Sequence, residues 1–110
     1  MATRSRIAYR DADAGIFKSV YVHWDGSPDT RMPLLTEYWN TLPAVKELIS
    51  NGNISSLCTT VEDTIFYHRD RNEDLNMMIS ESFEELRWDT GSMAEEYLYV
   101  FDNGEWLVYE

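Results

Sequence analysis

The chain is poor in the residues that build several familiar kinds of site. A single cysteine, Cys58, excludes an internal disulfide framework and fits a reducing cytosol. Five glycines, none in a Gly-rich run, exclude a standard phosphate-cradling loop. There is no Cys/His spacing for zinc and no Gly-x-Ser-x-Gly elbow. Basic side chains are scarce: nine Lys and Arg stand against 20 Asp and Glu, a net charge of −11. That sign argues against direct nucleic-acid binding and against anionic membranes. No apolar run approaches the roughly 20 residues that span a bilayer. Met1–Arg6 is basic but leads into no apolar segment, so no signal peptide is expected.

What is present is enough for one folded unit. The 110 residues, 44% hydrophobic and 14% aromatic, suit a single domain over 1–110. The charge is lopsided. Residues 1–60 carry six basic and six acidic side chains; residues 61–110 carry three basic and 14 acidic. The surplus is either a solvated face or a surface shaped to meet a basic partner.

Periodicity predicts the elements. Ser5–Tyr9 reads as a strand, Asp11–Gly15 as a turn, and Ile16–Trp24 as a strand apolar on both faces, hence central. Met32, Leu35 and Trp39 carry helical spacing. A second helix has Pro43 in its first turn, Asn40 or Thr41 as cap, and Ala44, Val45, Leu48 and Ile49 inward; Asn51-Gly52 ends it. Ile54–Leu57 reads as a connector and Thr64–His68 as a strand. A short strand over Asn76–Ile79 and a helix capped by Ser82, through the box Ser82-Phe83-Glu84-Glu85, follow. Asn103-Gly104 then joins Tyr97–Phe101 to Glu105–Tyr109 as a hairpin, with Phe101 opposite Trp106 and Val100 opposite Leu107. The expected fold is α+β: an antiparallel or mixed sheet of about five strands, ordered β-β-α-α-β-(α)-β-β, with helices on one face.

Two candidate sites emerge. In the acidic half, Trp88, Met93, Tyr97, Tyr99 and Tyr109 are interleaved with carboxylates. Aromatic anchors ringed by charge suit a protein interface, with Glu84, Glu85, Trp88, Asp89, Glu95 and Glu96 as expected contacts. The second candidate is a pair of His-x-Asp segments, His23-Trp24-Asp25 and His68-Arg69-Asp70, each at a predicted strand exit. In extended chain, residues two apart share a face, so convergent exits would gather two imidazoles and two carboxylates for a metal or for acid–base work. Tyr21, Trp24, Phe66 and Tyr67 would then stack a base, and Arg69 and Arg71 would hold a phosphate. Against this, the aromatics serve equally as core, and the arginines as partners of Asp70, Glu73 and Asp74. Cys58 reads as structural.

The segment Ser19–Gly26, followed by Leu34-Leu35, Tyr38, Val45, Leu48-Ile49 and Ser55-Ser56-Leu57, resembles a family of small, largely uncharacterised proteins of tailed bacteriophages with a Tyr-x-His-Trp-Asp-Gly core. Their Tyr-x-Arg-Asp-Arg-x-Glu stretch corresponds here to Tyr67–Glu73, with His68 inserted. The resemblance covers roughly residues 5–73 and the last hairpin, and brings no catalytic residues. It implies an accessory protein of the host bacterial cytoplasm, in a class rich in inhibitors of host enzymes and defence systems. The resulting expectation is a non-enzymatic, anti-CRISPR-like inhibitor that binds a bacterial protein or protein–nucleic-acid complex with a basic surface. It would need no cofactor or metal and could form a homodimer. The alternative is a nucleotide sponge or metal-dependent phosphodiesterase built on the two His-x-Asp pairs.

Overall fold

The computed structural model describes residues 3–110; Met1 and Ala2, part of the basic N-terminal run, lie outside them. A mixed seven-stranded sheet is built from β1 (Ser5–Asp11), β2 (Ile16–Val22), β3 (Ile54–Ser56), β4 (Ile65–Phe66), β5 (Met78–Ser80), β6 (Tyr97–Asp102) and β7 (Glu105–Tyr109). Four helices accompany it: α1 (Pro28–Tyr38), α2 (Leu42–Ser50), α3 (Tyr67–Arg71) and α4 (Phe83–Ser92). The strand order is β4-β3-β2-β1-β6-β7, and β5 also pairs with β2. β1 runs antiparallel to β2 and parallel to β6. The α+β class and the mixed sheet are as expected, with more strands than foreseen. β3 is the addition: Ile54, read as connector, pairs with Val22 on one side and Phe66 on the other. Among the described residues no helix is long and apolar enough to cross a membrane.

Helices cover both faces of the sheet, which corrects the expectation of one covered face. α1 and α2 bring Leu35, Val45, Leu48 and Ile49 against Ile7, Tyr9, Val20, Val22, Tyr99 and Phe101. On the opposite side α4 brings Leu86 against Ala8, Leu98 and Val100, with Phe17 and Tyr109 alongside. The cause is visible in the strands. β1, β2 and β6 alternate apolar residues onto both faces, and an uncovered apolar face stays in water at about 25 cal/mol per Å².

Local chemistry sets the helix and turn boundaries. Thr41 caps α2 by accepting from the Ala44 N–H, and Gly52, at φ +85°, follows its end. Ser82 caps α4 by accepting from the Glu85 N–H, while the Glu85 carboxylate takes the Glu81 N–H. Asn103 (φ 52°) and Gly104 (φ 81°) make the two-residue turn. The observed register places Phe101 opposite Trp106, Tyr99 opposite Val108 and Asp102 opposite Glu105, as the sequence predicts. Indole donors tie the layers together: Trp106 Nε1 donates to the Trp39 carbonyl at 2.7 Å, and Trp39 Nε1 to the Cys58 carbonyl at 3.0 Å.

Candidate functional site

α4 turns Leu86 and Thr90 inward and leaves Glu84, Glu85, Trp88 and Gly91 at the surface. Glu84, Trp88 and Gly91 follow each other at i, i+4 and i+7, so they share one stripe of the helix. Trp88 is 76% exposed, the most exposed large hydrophobic side chain among the described residues. A groove of about 400 Å³ runs beside it, lined by Glu84, Arg87, Trp88, Glu95, Glu96 and Glu110 among others. A hollow of about 290 Å³ also uses Arg87, Trp88 and Gly91. Arg87, the one basic residue on this helix, is already engaged: it donates to the Glu110 carbonyl at 2.8 Å and lies over the Tyr109 ring. The local charge is therefore dominated by carboxylates around a bare indole. Such a surface can take a basic side chain both electrostatically and against the indole face.

The structure revises the membership of this site. Glu84, Glu85, Trp88 and Glu96 lie at the surface as expected, and Asp89 is half-buried. Glu95 is not a free contact residue. It is buried and paired with Arg6, with Nε to Oε1 at 2.8 Å and Nη2 to Oε2 at 3.0 Å. Arg6 Nη1 also donates to Ser19 Oγ at 3.1 Å. Burial pushes the Glu95 carboxyl above its usual range, against the pull of Arg6. Among the interleaved aromatics, Tyr99 is core and Tyr97 and Tyr109 are half-buried, so Trp88 alone of the ring residues named there is an exposed anchor. No local sequence signal distinguishes Glu95 from Glu96, because the partner of Glu95 is 89 residues away.

The two His-x-Asp segments do not converge. β2 runs parallel to β3 and β4 antiparallel to it, so the two strands leave β3 in opposite directions. Beyond Val22, the N–H groups of His23 and Trp24 follow β3 to the carbonyls of Ile54 and Ser55; beyond Phe66, the Tyr67 N–H reaches back to the Asn53 carbonyl. His68 and Asp70, moreover, lie in α3 and not in a strand, where residues two apart do not face each other. Among the described residues no three His, Cys, Asp or Glu side chains gather as a metal site. His23 Nδ1 meets the Tyr21 hydroxyl at 2.5 Å, and His68 Nδ1 meets the Glu73 carbonyl at 2.8 Å.

The arginines of that segment are committed to structure. Arg69 donates to the carbonyls of Val61 (2.8 Å) and Thr64 (2.6 Å) and to both Asp70 oxygens, while stacking over Phe66. Arg71 lies over the Tyr67 ring. Asp70 in turn accepts the Phe66 N–H at 2.8 Å. These bonds, from Arg69 first and from the Phe66 N–H second, hold the Asp70 carboxyl below its usual range. Its contribution to stability is therefore full above the ordinary Asp pKa and is lost as pH falls through the lower folded value. A carboxyl-carbon NMR titration is expected to show Asp70 titrating below the ordinary aspartate range, and Arg69→Ala is expected to shrink that depression, leaving the part due to the Phe66 N–H. An ordinary midpoint for Asp70 in the wild-type chain would contradict the assignment.

A further cleft was not legible from the sequence. About 670 Å³ opens where the β1–β2 turn, the β6–β7 turn and the N-terminal end of α2 meet, with Arg10, Asp11, Asp13, Lys46 and Asp102 around Tyr9 and Phe101. Its charges are mixed, and Arg10 already approaches Asp102 at 3.7 Å. Comparison of the chain with protein-family models, with curated proteins and with solved structures gives no match.

Proposed function

We propose that this protein acts by binding, with the outer stripe of α4 docking on a basic surface of another protein. The observation that carries the reading is Trp88, 76% exposed on a helix bordered by Glu84, Glu85 and Glu96. Leaving an indole in water forfeits the hydrophobic gain that burial would bring, so its placement has most value once a partner covers it. Carboxylates around it supply long-range attraction and orientation, while the indole supplies the short-range contact. The resemblance of Tyr21–Gly26 to phage accessory proteins supports a partner in the bacterial cytoplasm, and the acidic surface supports a defence or nucleic-acid-processing complex with a basic channel. The protein is thus read as a non-enzymatic inhibitor of the anti-CRISPR kind.

The test uses three baits in parallel on a bacterial lysate: the wild-type chain, Trp88→Ala, and Glu84→Lys with Glu85→Lys. Trp88→Ala should weaken retention of the specific partner by roughly 30-fold or more, the effect of a hot-spot residue worth about 2 kcal/mol. The charge-reversed bait should fail at low salt, and wild-type retention should fall as salt rises. Identical captured sets from all three baits would refute the reading.

A further inference from the structure

Among the described residues the sheet has one long open edge, since β5, which pairs with β2 alone, is three residues long. β4, at one end, is two residues long, and the Arg69 and Asp70 bonds close the chain around it. β7, at the other end, runs five residues with no proline, lysine or bulge. Those are the devices by which edge strands are ordinarily kept from pairing. The hairpin register defines which groups are free. With a two-residue turn, the closing pair Asp102–Glu105 exchanges both main-chain bonds, and so in alternation do Val100–Leu107 and Leu98–Tyr109. Trp106 and Val108 therefore direct their N–H and C=O groups outward, away from β6. Leu107 and Val108 beside them are 41% and 37% exposed.

We infer that β7 pairs antiparallel with β7 of a second copy of this chain, continuing the sheet across a two-fold axis at Leu107. This inference is independent of the function proposed for α4. The register is self-complementary. Trp106 of one copy exchanges main-chain bonds with Val108 of the other, and the two Leu107 side chains meet on the axis. Glu105 then stands opposite Tyr109 of the second copy, whose ring lies under Arg87 at 5.7 Å. The exposed Glu105 carboxylate thus arrives beside a guanidinium, once on each side of the axis. A slip of one residue would set the outward groups of Trp106 and Val108 against residues whose main-chain groups are already bonded to β6, and remove this pairing. Charge complementarity and the free main-chain groups select the same register.

Sedimentation velocity of the full chain, from low-micromolar to near-millimolar concentration, tests the inference. A concentration-dependent species of twice the chain mass is expected. Val108→Pro removes one outward N–H, a substitution that edge strands tolerate because no bond within the sheet is lost; it should leave only monomer. Leu107→Lys, which sets two like charges on the axis, should do the same without touching the main chain, should the proline variant not fold. Glu105→Arg and Arg87→Glu should each weaken association at least tenfold, and their combination should restore it. A single monomeric species throughout would overturn the inference, as would a dimer that survives both Val108→Pro and Leu107→Lys, or paired charge variants that fail to rescue each other.

Discussion

Arg6→Ala is expected to destabilise the fold by about 3–5 kcal/mol, the range for removing one partner of a buried ion pair. The pair is enclosed between β1 and the segment leading into β6, and the guanidinium spends its donors on Glu95, Ser19 Oγ and the Met93 sulfur. Removing it leaves a buried carboxylate without its bonded counter-charge. The acid dependence carries the distinguishing information. Burial already holds the Glu95 carboxyl above its ordinary range, and losing Arg6 removes the larger part of the pull in the other direction, leaving only that of Arg4. A carboxyl whose folded pKa exceeds its unfolded pKa binds protons more tightly when folded. Its ionisation therefore opposes folding as pH rises through that window, and the opposition fades as pH falls. The loss in Arg6→Ala should accordingly be greatest at neutral pH and shrink in mild acid. Glu95→Ala behaves differently, because an arginine stays charged throughout and its loss persists across that range. Replacing both residues by methionine should recover most of the stability, since packed apolar groups often match a buried pair. Urea unfolding of the four chains at neutral and mildly acidic pH decides the matter. A cost below about 1 kcal/mol for Arg6→Ala, or no change with pH, would contradict the assignment.

How far the sequence reveals this fold depends on the range over which each interaction acts. The C-terminal hairpin is legible because its turn chemistry is local: two residues that tolerate positive φ fix a register of five pairs. The caps of α2 and α4 are legible for the same reason, since Thr41 and Ser82 bond to N–H groups three residues away. Ile54–Ser56 is not, because a three-residue strand gains its identity only from Val22 and Phe66, each brought there by the rest of the chain. His68 is misplaced in the sequence reading because Asp70 and Arg69 stop the strand with bonds that periodicity does not register. Among the site residues, the exposure of Trp88 follows from helical spacing, since Leu86 and Thr90 take the inward stripe. Glu95 differs from its neighbour only through Arg6, a long-range partner. Long-range polar pairing and short strands escape local pattern; caps, turns and helix faces do not.

The Tyr21–Gly26 segment, which reads as chemistry in the sequence, acts in the structure as a lock on the fold, and Gly26→Ala is the substitution that exposes this role. Arg31, on the first turns of α1, is only 1% exposed. Its Nη2 donates to the Trp24 carbonyl at 2.6 Å, and its Nε has no partner among the described residues. The loop formed by Trp24, Asp25 and Gly26 thus covers a guanidinium that burial makes easier to deprotonate than usual. Gly26 secures that cover twice. Its N–H donates to the Thr3 carbonyl at 3.0 Å, and its own carbonyl accepts the Tyr99 hydroxyl at 2.6 Å. There is no room for a side chain: a Cβ at this position would stand 2.5 Å from the Thr3 carbonyl oxygen and 2.8 Å from Ser5 Cβ. The obstructing atoms belong to the main chain entering β1 and to a buried residue of that strand, so neither yields cheaply. Alanine must therefore push the loop away, which breaks one or both hydrogen bonds and admits water to Arg31. Overpacking of this kind costs about 1–3 kcal/mol, and an unsatisfied buried carbonyl adds about 1–3 kcal/mol. Tyr99→Phe isolates the second contribution, because it removes only the hydroxyl. Equilibrium unfolding should rank Gly26→Ala below Tyr99→Phe, and both below the wild-type chain. Amide exchange at Gly26 should quicken in the alanine variant as its bond to Thr3 lengthens. A Gly26→Ala protein with the wild-type unfolding midpoint would show that the loop closes without the fit described, and would return His23, Trp24 and Asp25 to consideration as a ligand-binding group.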